Sequence, residues 1–330
     1  MKALTSVVRA VAGVAAVIVA SAALAQARDA STYPNRTVRL VVPFGAGSGP
    51  DMRARQLGDK LTQLLGQPVI VDNRPGAGGQ IGMQHVASAA ADGYTLVMAG
   101  QSALAIQPHL TAQPFDPLKA FIPVASTGTG AVVLVVSEKF PVHSVKELIA
   151  LAQRDPRKLN AASWGNATIP HLALELFKRS AQVDIAHVPY KDASLALKDL
   201  IAGEVQLTFD FLQLVGPQLK AGRVRALAVT GPTRLVALPN VPTFTELGLP
   251  DMESVRGWQG VAVPTGTPPE IVDKLHAAIV RVLALPDVRA SYVDVGFEPS
   301  TASPREFAEF VQAENKRWGR LIAALGIRAE

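Results

Sequence analysis

The stretch from Arg39 to Arg53, Arg-Leu-Val-Val-Pro-Phe-Gly-Ala-Gly-Ser-Gly-Pro-Asp-Met-Arg, constrains this chain more than any other. An apolar, β-branched run from Val38 to Val42 reads as a buried strand. Met52, Leu57, Leu61 and Leu64 then recur at helical spacing. Between them lies a loop of small residues that ends at a helix N-terminus. Pro50 suits the first helical turn, where its missing N–H costs nothing, and Ser48 with Asp51 three residues on resembles a capping box. Such a loop offers free backbone N–H groups backed by the positive end of a helix, and Ala46, Gly47 and Gly49 let a ligand approach the backbone. The same residues fit an ordinary tight βα turn equally well.

No nucleotide or hydrolase signature covers the loop. After Gly45 and Gly47 the last position of a dinucleotide fingerprint is Pro50, the Gly-Lys-Ser/Thr ending of a phosphate-binding loop is missing, and Ser48 is not flanked as in G-x-S-x-G. Binding is favoured over phosphoryl transfer or hydrolysis.

Residues 1–27 read as a secretory signal peptide: Lys2 and Arg9 form a basic start, Val11 to Leu24 an apolar core, and Ala23-Leu24-Ala25 or Ala25-Gln26-Ala27 a cleavage site. The apolar run falls short of the roughly 20 residues a membrane-spanning helix needs. With no cysteine, the chain has neither a lipid-bearing Cys nor a disulfide. A soluble periplasmic product is expected. The formal net charge of +5 is reduced by loss of Lys2 and Arg9 and is spread along the chain, which argues against a nucleic-acid partner. The remaining chain, rich in Ala, Val and Leu with alternating strand and helix patterns, falls in the size range where single cores split, so two α/β domains are expected.

The opening design repeats. Pro68 to Val71 is a strand, Asp72 to Gln80 a glycine-rich loop, Ile81 to Ala91 a helix and Thr95 to Ala99 a strand opening into Gly100-Gln101-Ser102, whose side chains are placed to face the same cleft. Small residues from Val124 to Gly130 fit a crossover into a second domain. There, strand Leu159 to Ser163 leads through Trp164-Gly165-Asn166-Ala167-Thr168 to a helix starting near His171, with Thr168 or Asn166 as its cap. Strand Val205 to Phe209 ends at Asp210. Ligands bind outside the carboxyl ends of strands in open α/β sheets, so Ser163, Asn166, Thr168 and Asp210 are candidates; capping the next helix is an equally good role for Asp210. His171 is either a ligand-side donor or a structural helix-terminal residue. The six histidines show no H-x-x-x-H spacing, so neither a metal site nor a cofactor is expected. Trp258 and Trp318 read as packing anchors.

Several separated segments then resemble one family. Tyr33-Pro34 with Val38 to Phe44, Ala46-Gly47 and Asp51; Asp72 to Gly79 with Ile81-Gly82; Asp92 to Leu96; His171 to Ala173 with Glu175 to Phe177; His187 to Lys191; Arg225 to Thr230; and Pro239 with Val241 to Thr243, then Trp258, are similar to the periplasmic substrate-binding receptors of tripartite tricarboxylate transporters, the Bug family. The resemblance spans the whole chain after the leader. It implies a type II periplasmic binding-protein fold, a two-lobed clamp with residues 28–128 and 252–330 in one domain and 129–251 in the other, which captures a small carboxylate and delivers it to membrane subunits. It further implies that loop amides, hydroxyls and water hold the carboxylate. Candidate ligand positions are Phe44, Ala46, Gly47, Ser48, Asp51, Gly78, Gly79, Gln101, Ser163, Asn166, Thr168, His171 and Asp210.

Gly47-Ser48 stands where the family usually has Gly-Gly, Asp192 where it has Gly after Tyr-Lys, and Trp164 brings bulk suited to shrinking the cleft or stacking on a flat aromatic acid. Because the candidate loops carry no cation, neutral donors are expected to hold the carboxylate. Arg53 and Arg55 fall inside a helix and should face solvent or the other lobe's rim. A monomer, not an enzyme, is expected; the alternatives are a periplasmic carboxylate sensor, or a secreted hydrolase or isomerase requiring Ser48 and Asp51 as a nucleophile–acid pair, which lacks an adjacent general base.

Overall fold

Strand β1 (Val38–Val42) buries every side chain but Arg39 and lies between two parallel neighbours, β2 (Val69–Asn73) and β3 (Thr95–Gly100). Its β-branched composition suits a strand covered on both faces. The connections are the helices α1 (Gly49–Leu65) and α2 (Gln80–Ala87). These coordinates, a computed structural model, describe residues 32–327, so the proposed signal peptide lies outside them.

Strand β4 (Phe121–Ser137) links the two halves of the molecule. The Val124–Gly130 stretch was expected to be a flexible link between two strands; it is instead the interior of this continuous strand, bulged between Pro123 and Ala125 and between Ser126 and Gly128. The small residues there serve close packing: the short strand β10 (Phe297–Glu298) crosses them, pairing Phe297 with Gly130 and Glu298 with Thr129. The first half of β4 runs antiparallel to β9 (Arg256–Pro264), which in turn pairs with β3. The second half passes into another sheet, antiparallel to β7 (Leu207–Phe211) and β8 (Val224–Val229). There β5 (Asn160–Ser163) runs parallel to both β6 (Ala186–Pro189) and β7. The order is β2-β1-β3-β9-β4-β7-β5-β6, with β8 and β10 attached to β4.

Helices cover this frame. In the second lobe, α3 (Val145–Arg154), α4 (Ile169–Ala181), α5 (Ala193–Ala202) and α6 (Leu212–Lys220) follow the strands. In the first, α7 (Pro269–Leu283) and α8 (Pro286–Asp294) precede β10, and α9 (Pro304–Leu325) packs against β4. The Ser303–Glu306 capping box opens α9 as its sequence spacing predicts. Trp258 and Trp318 are packing anchors: both are buried, and both indole N–H groups donate to the Glu314 carboxylate, at 3.0 and 3.2 Å. The helix expected after Asp210 is α6, whereas α8 was not anticipated from the sequence.

Gly128 sits at the second bulge of β4, with φ +149°, and a Cβ there would lie 2.5 Å from the Glu298 carbonyl oxygen. Gly128→Ala should therefore cost roughly 1–3 kcal/mol in unfolding free energy. A urea midpoint unchanged from wild type would contradict that packing.

Candidate functional site

The first loop is built from within. Ser48 is the N-cap of α1, its Oγ accepting from the Asp51 amide at 3.4 Å. The return bond of the expected capping box is displaced by one residue: the Asp51 carboxylate accepts from the Gly47 amide at 2.8 Å, not from Ser48. Asp51 also accepts from Arg55 Nε and from Asn73 Nδ2 at the end of β2. Burial pushes this carboxyl up, but Arg55, the Gly47 amide and Asn73 outweigh it and leave it below the usual carboxylate range. Asp51 thus stands behind the loop as its organiser. With the Gly47 amide held by Asp51 and the Ser48 amide by the Gly45 carbonyl, the Gly45 and Ala46 amides are left with no internal acceptor among the described residues. The Ser48 hydroxyl hydrogen is also free to donate.

The second lobe's loop is equally self-contained. Thr168 is the N-cap of α4 but makes no side-chain cap bond, because its hydroxyl donates to the Gly165 carbonyl at 2.6 Å. His171, in the first turn, instead ties down the preceding loop, its Nδ1 accepting from the Ala167 amide at 2.9 Å. Burial, followed by the charge of Lys178, lowers the His171 pKa to about 4, so the ring is neutral and able to accept. It stacks on His187, centroids 3.9 Å apart, and His187 Nε2 lies 2.7 Å from the fully buried Ser163 hydroxyl. Ser163 and His171 are therefore framework groups behind the loop.

Between the lobes lies a cleft of about 680 Å³. Of the sequence candidates, Phe44, Gly47, Ser48, Gly78, Gly79, Gln101, Thr168 and Asp210 line it. Ala46, Asp51, Ser163 and His171 do not, and Asn166 lines an adjoining groove with Tyr190 and Lys191. Gln101 faces the cleft while its Oε1 accepts from the Trp258 amide at 2.7 Å, tying β3 to β9. Phe44, Trp164, Phe211 and Phe297 make much of the wall aromatic.

Two charged groups lie in that wall. Asp210, 4% exposed, does not cap α6; its Oδ1 accepts from the adjacent Phe211 amide at 2.8 Å. Burial raises its pKa to about 7, slightly countered by that amide and by the Trp164 indole, which faces it without a well-aligned bond. The second is Arg53, which sequence reasoning turned towards solvent or the opposite rim. It is 7% exposed on the cleft wall, donating from Nε to Gln259 at 2.8 Å and from Nη1 to Gln213 of the other lobe at 3.0 Å. Gly49 permits this junction, since a Cβ there would sit 2.4 Å from Gln213 Oε1. Helical spacing placed Arg53 on a face of α1 but said nothing of which element opposes that face. Among the described residues no group of His, Cys, Asp or Glu could hold a metal ion.

Residues 53–327 match the family model described as "Tripartite tricarboxylate transporter family receptor". The chain belongs to this family. Receptors of this family bind substrates rather than transform them, and this chain is such a receptor, not an enzyme. A curated relative from Pseudomonas sp. strain P51, the UPF0065 protein in the tcbD-tcbE intergenic region, is 37% identical, with 97% of this chain and 95% of the relative aligned. Among solved structures, R. palustris Rpa4515 with adipate is 36% identical, with a TM-score of 0.82 over 90% of this chain and 99% of that one. MatC from Rhodopseudomonas palustris with bound malate is 33% identical, with a TM-score of 0.77 over 88% and 100%. The receptor has the mixed α/β, two-lobed type II periplasmic binding-protein fold.

Asp210 gives the receptor a testable pH signature. Its folded pKa of about 7 lies above the ordinary aspartate value of 3.8, so its stabilising contribution is complete below about pH 4 and is lost as pH rises through 7. The loss amounts to roughly 4 kcal/mol at most. Asp210→Asn should therefore raise the melting temperature of ligand-free protein more at pH 8 than at pH 5, and an equal effect at both would contradict it.

Proposed function

We propose that the receptor is periplasmic and captures a small carboxylate, a di- or tricarboxylate or an aromatic acid, in the interlobe cleft for a tripartite tricarboxylate-type transporter. The observation that carries this reading is the first loop, whose internal bonding occupies the Gly47 and Ser48 amides and leaves the Gly45 amide and the Ser48 hydroxyl, both on the cleft wall, as open donors at a helix N-terminus. The Gly78-Gly79 loop lies on the same wall. The ligands printed for the two solved relatives, adipate and malate, are of the same chemical class. Aromatic residues lining the cleft extend the class to flat acids. As the lobes rotate about β4 and the start of β9, Trp164 and Thr168 close over a ligand seated on the first lobe, which then passes unchanged to membrane subunits.

Ser48 and Thr168 play unequal parts. The Thr168 hydrogen is used within its own loop, so Thr168 offers a ligand only an acceptor, whereas Ser48 can donate. A hydrogen bond to a charged group contributes roughly 1.5–3 kcal/mol, so Ser48→Ala should weaken carboxylate binding by about tenfold or more. Lys191→Ala, on the adjoining groove, should change it little. Calorimetry with adipate, malate and benzoate, followed by mass spectrometry of the released acid, checks both points. A chemically altered acid, or a larger loss at Lys191 than at Ser48, would refute the reading.

A further inference from the structure

Arg53 is a buried cation without an anionic partner. Its two hydrogen bonds, to Gln259 and Gln213, go to neutral amide oxygens, and it takes part in no ion pair among the described residues. A guanidinium carries five N–H donors, so Nη2 and one hydrogen on Nη1 remain unused. The Phe297 ring supports the group from behind, 4.1 Å from Cζ. Asp210, the other ionisable group on the cleft wall, makes no ion pair or hydrogen bond with Arg53 among the described residues. Buried charges are ordinarily paired, because an uncompensated one forfeits its hydration. Burial draws Arg53 down to about 10, which still leaves it charged at neutral pH.

We infer that Arg53 is a specificity-determining residue: its free guanidinium face takes a second anionic group of the ligand, so the receptor selects dianionic acids over their singly charged counterparts. This rests on the reading of the cleft as a carboxylate site and assigns the ligand's two ends. One carboxylate sits on the open amides of the first loop. The other lies against Arg53, where Gln213 and Gln259 fix the fork. Between them, Phe44, Phe211 and Phe297 provide an apolar wall for the spacer. Because Gln213 belongs to the second lobe, an anion at Arg53 lies directly beside the junction between the lobes.

The test measures affinities of adipate against hexanoate, and of benzene-1,4-dicarboxylate against benzoate, by calorimetry on wild type, Arg53→Met and Arg53→Lys. Wild type should bind at least one diacid about ten- to a hundredfold more tightly than its monoacid partner. Arg53→Met should abolish that preference, weakening diacid binding about tenfold or more beyond any loss of monoacid binding. Arg53→Lys, which keeps the charge without the planar fork, should retain part of the preference and decides the matter if Arg53→Met does not fold. A preference unchanged in Arg53→Met, or absent in wild type that binds the monoacids, overturns the assignment while leaving the carboxylate reading intact. Failure of wild type to bind any of the four acids defeats the carboxylate reading and the role of Arg53 with it.

Discussion

Strand β4 runs antiparallel to β9 from the Phe121–Pro264 pair to the Ala131–Arg256 pair, then continues beyond it to carry the second sheet. Every other relation between the lobes depends on this pairing. The second half of β4 is paired on both sides, by β7 and β8, while its first half is paired mainly with β9 and slips in register at two bulges, where it is most deformable. The cleft opens beside this shared strand. Gln101 reinforces this by binding the Trp258 backbone, so the end of β3, the start of β9 and the cleft floor move as one piece.

The site's chemistry follows from how fully its loops satisfy themselves. Asp51 spends its carboxylate on Gly47, Arg55 and Asn73, and by doing so fixes which amides of the first loop stay open. Across the cleft, His171, Ser163 and Thr168 are tied into their own loop and give shape more than recognition. What remains for a ligand is a set of donors on the first lobe, an unpaired arginine at the junction, and an acid whose burial favours its neutral form. That combination suits a partner rich in acceptors, as a carboxylate is.

Much of the frame was legible because local rules govern it. Strand Val38–Val42, the small-residue loop, the Ser48 cap and the Ser303 capping box are written in neighbouring residues, and the structure keeps them. The misreadings share another cause. The β4 crossover looked like a flexible link because small residues signal both mobility and close packing, and only β10, distant in sequence, distinguishes the two. Thr168 does not cap its helix because its hydroxyl turns back to the Gly165 carbonyl, while the His171 ring, four residues beyond Ala167, holds the loop through the Ala167 amide. Arg53 was expected to face solvent or the other lobe's rim; it does reach Gln213 of the other lobe, but its burial on the cleft wall was not legible because helical periodicity fixes a face and not its surroundings, and Gln213, Gln259 and Phe297 come from three remote segments.

The central claim is that a carboxylate enters between the lobes and rests on the open amides of the loop that Asp51 organises. A crystal structure of residues 28–330, grown with a bound diacid, tests this most directly. The account predicts a carboxylate oxygen within hydrogen-bond distance of the Gly45 amide and the Ser48 hydroxyl, with Asp51 still bonded to Gly47. A diacid bound elsewhere, or a cleft ligand whose carboxylates leave that amide and hydroxyl untouched, would contradict it.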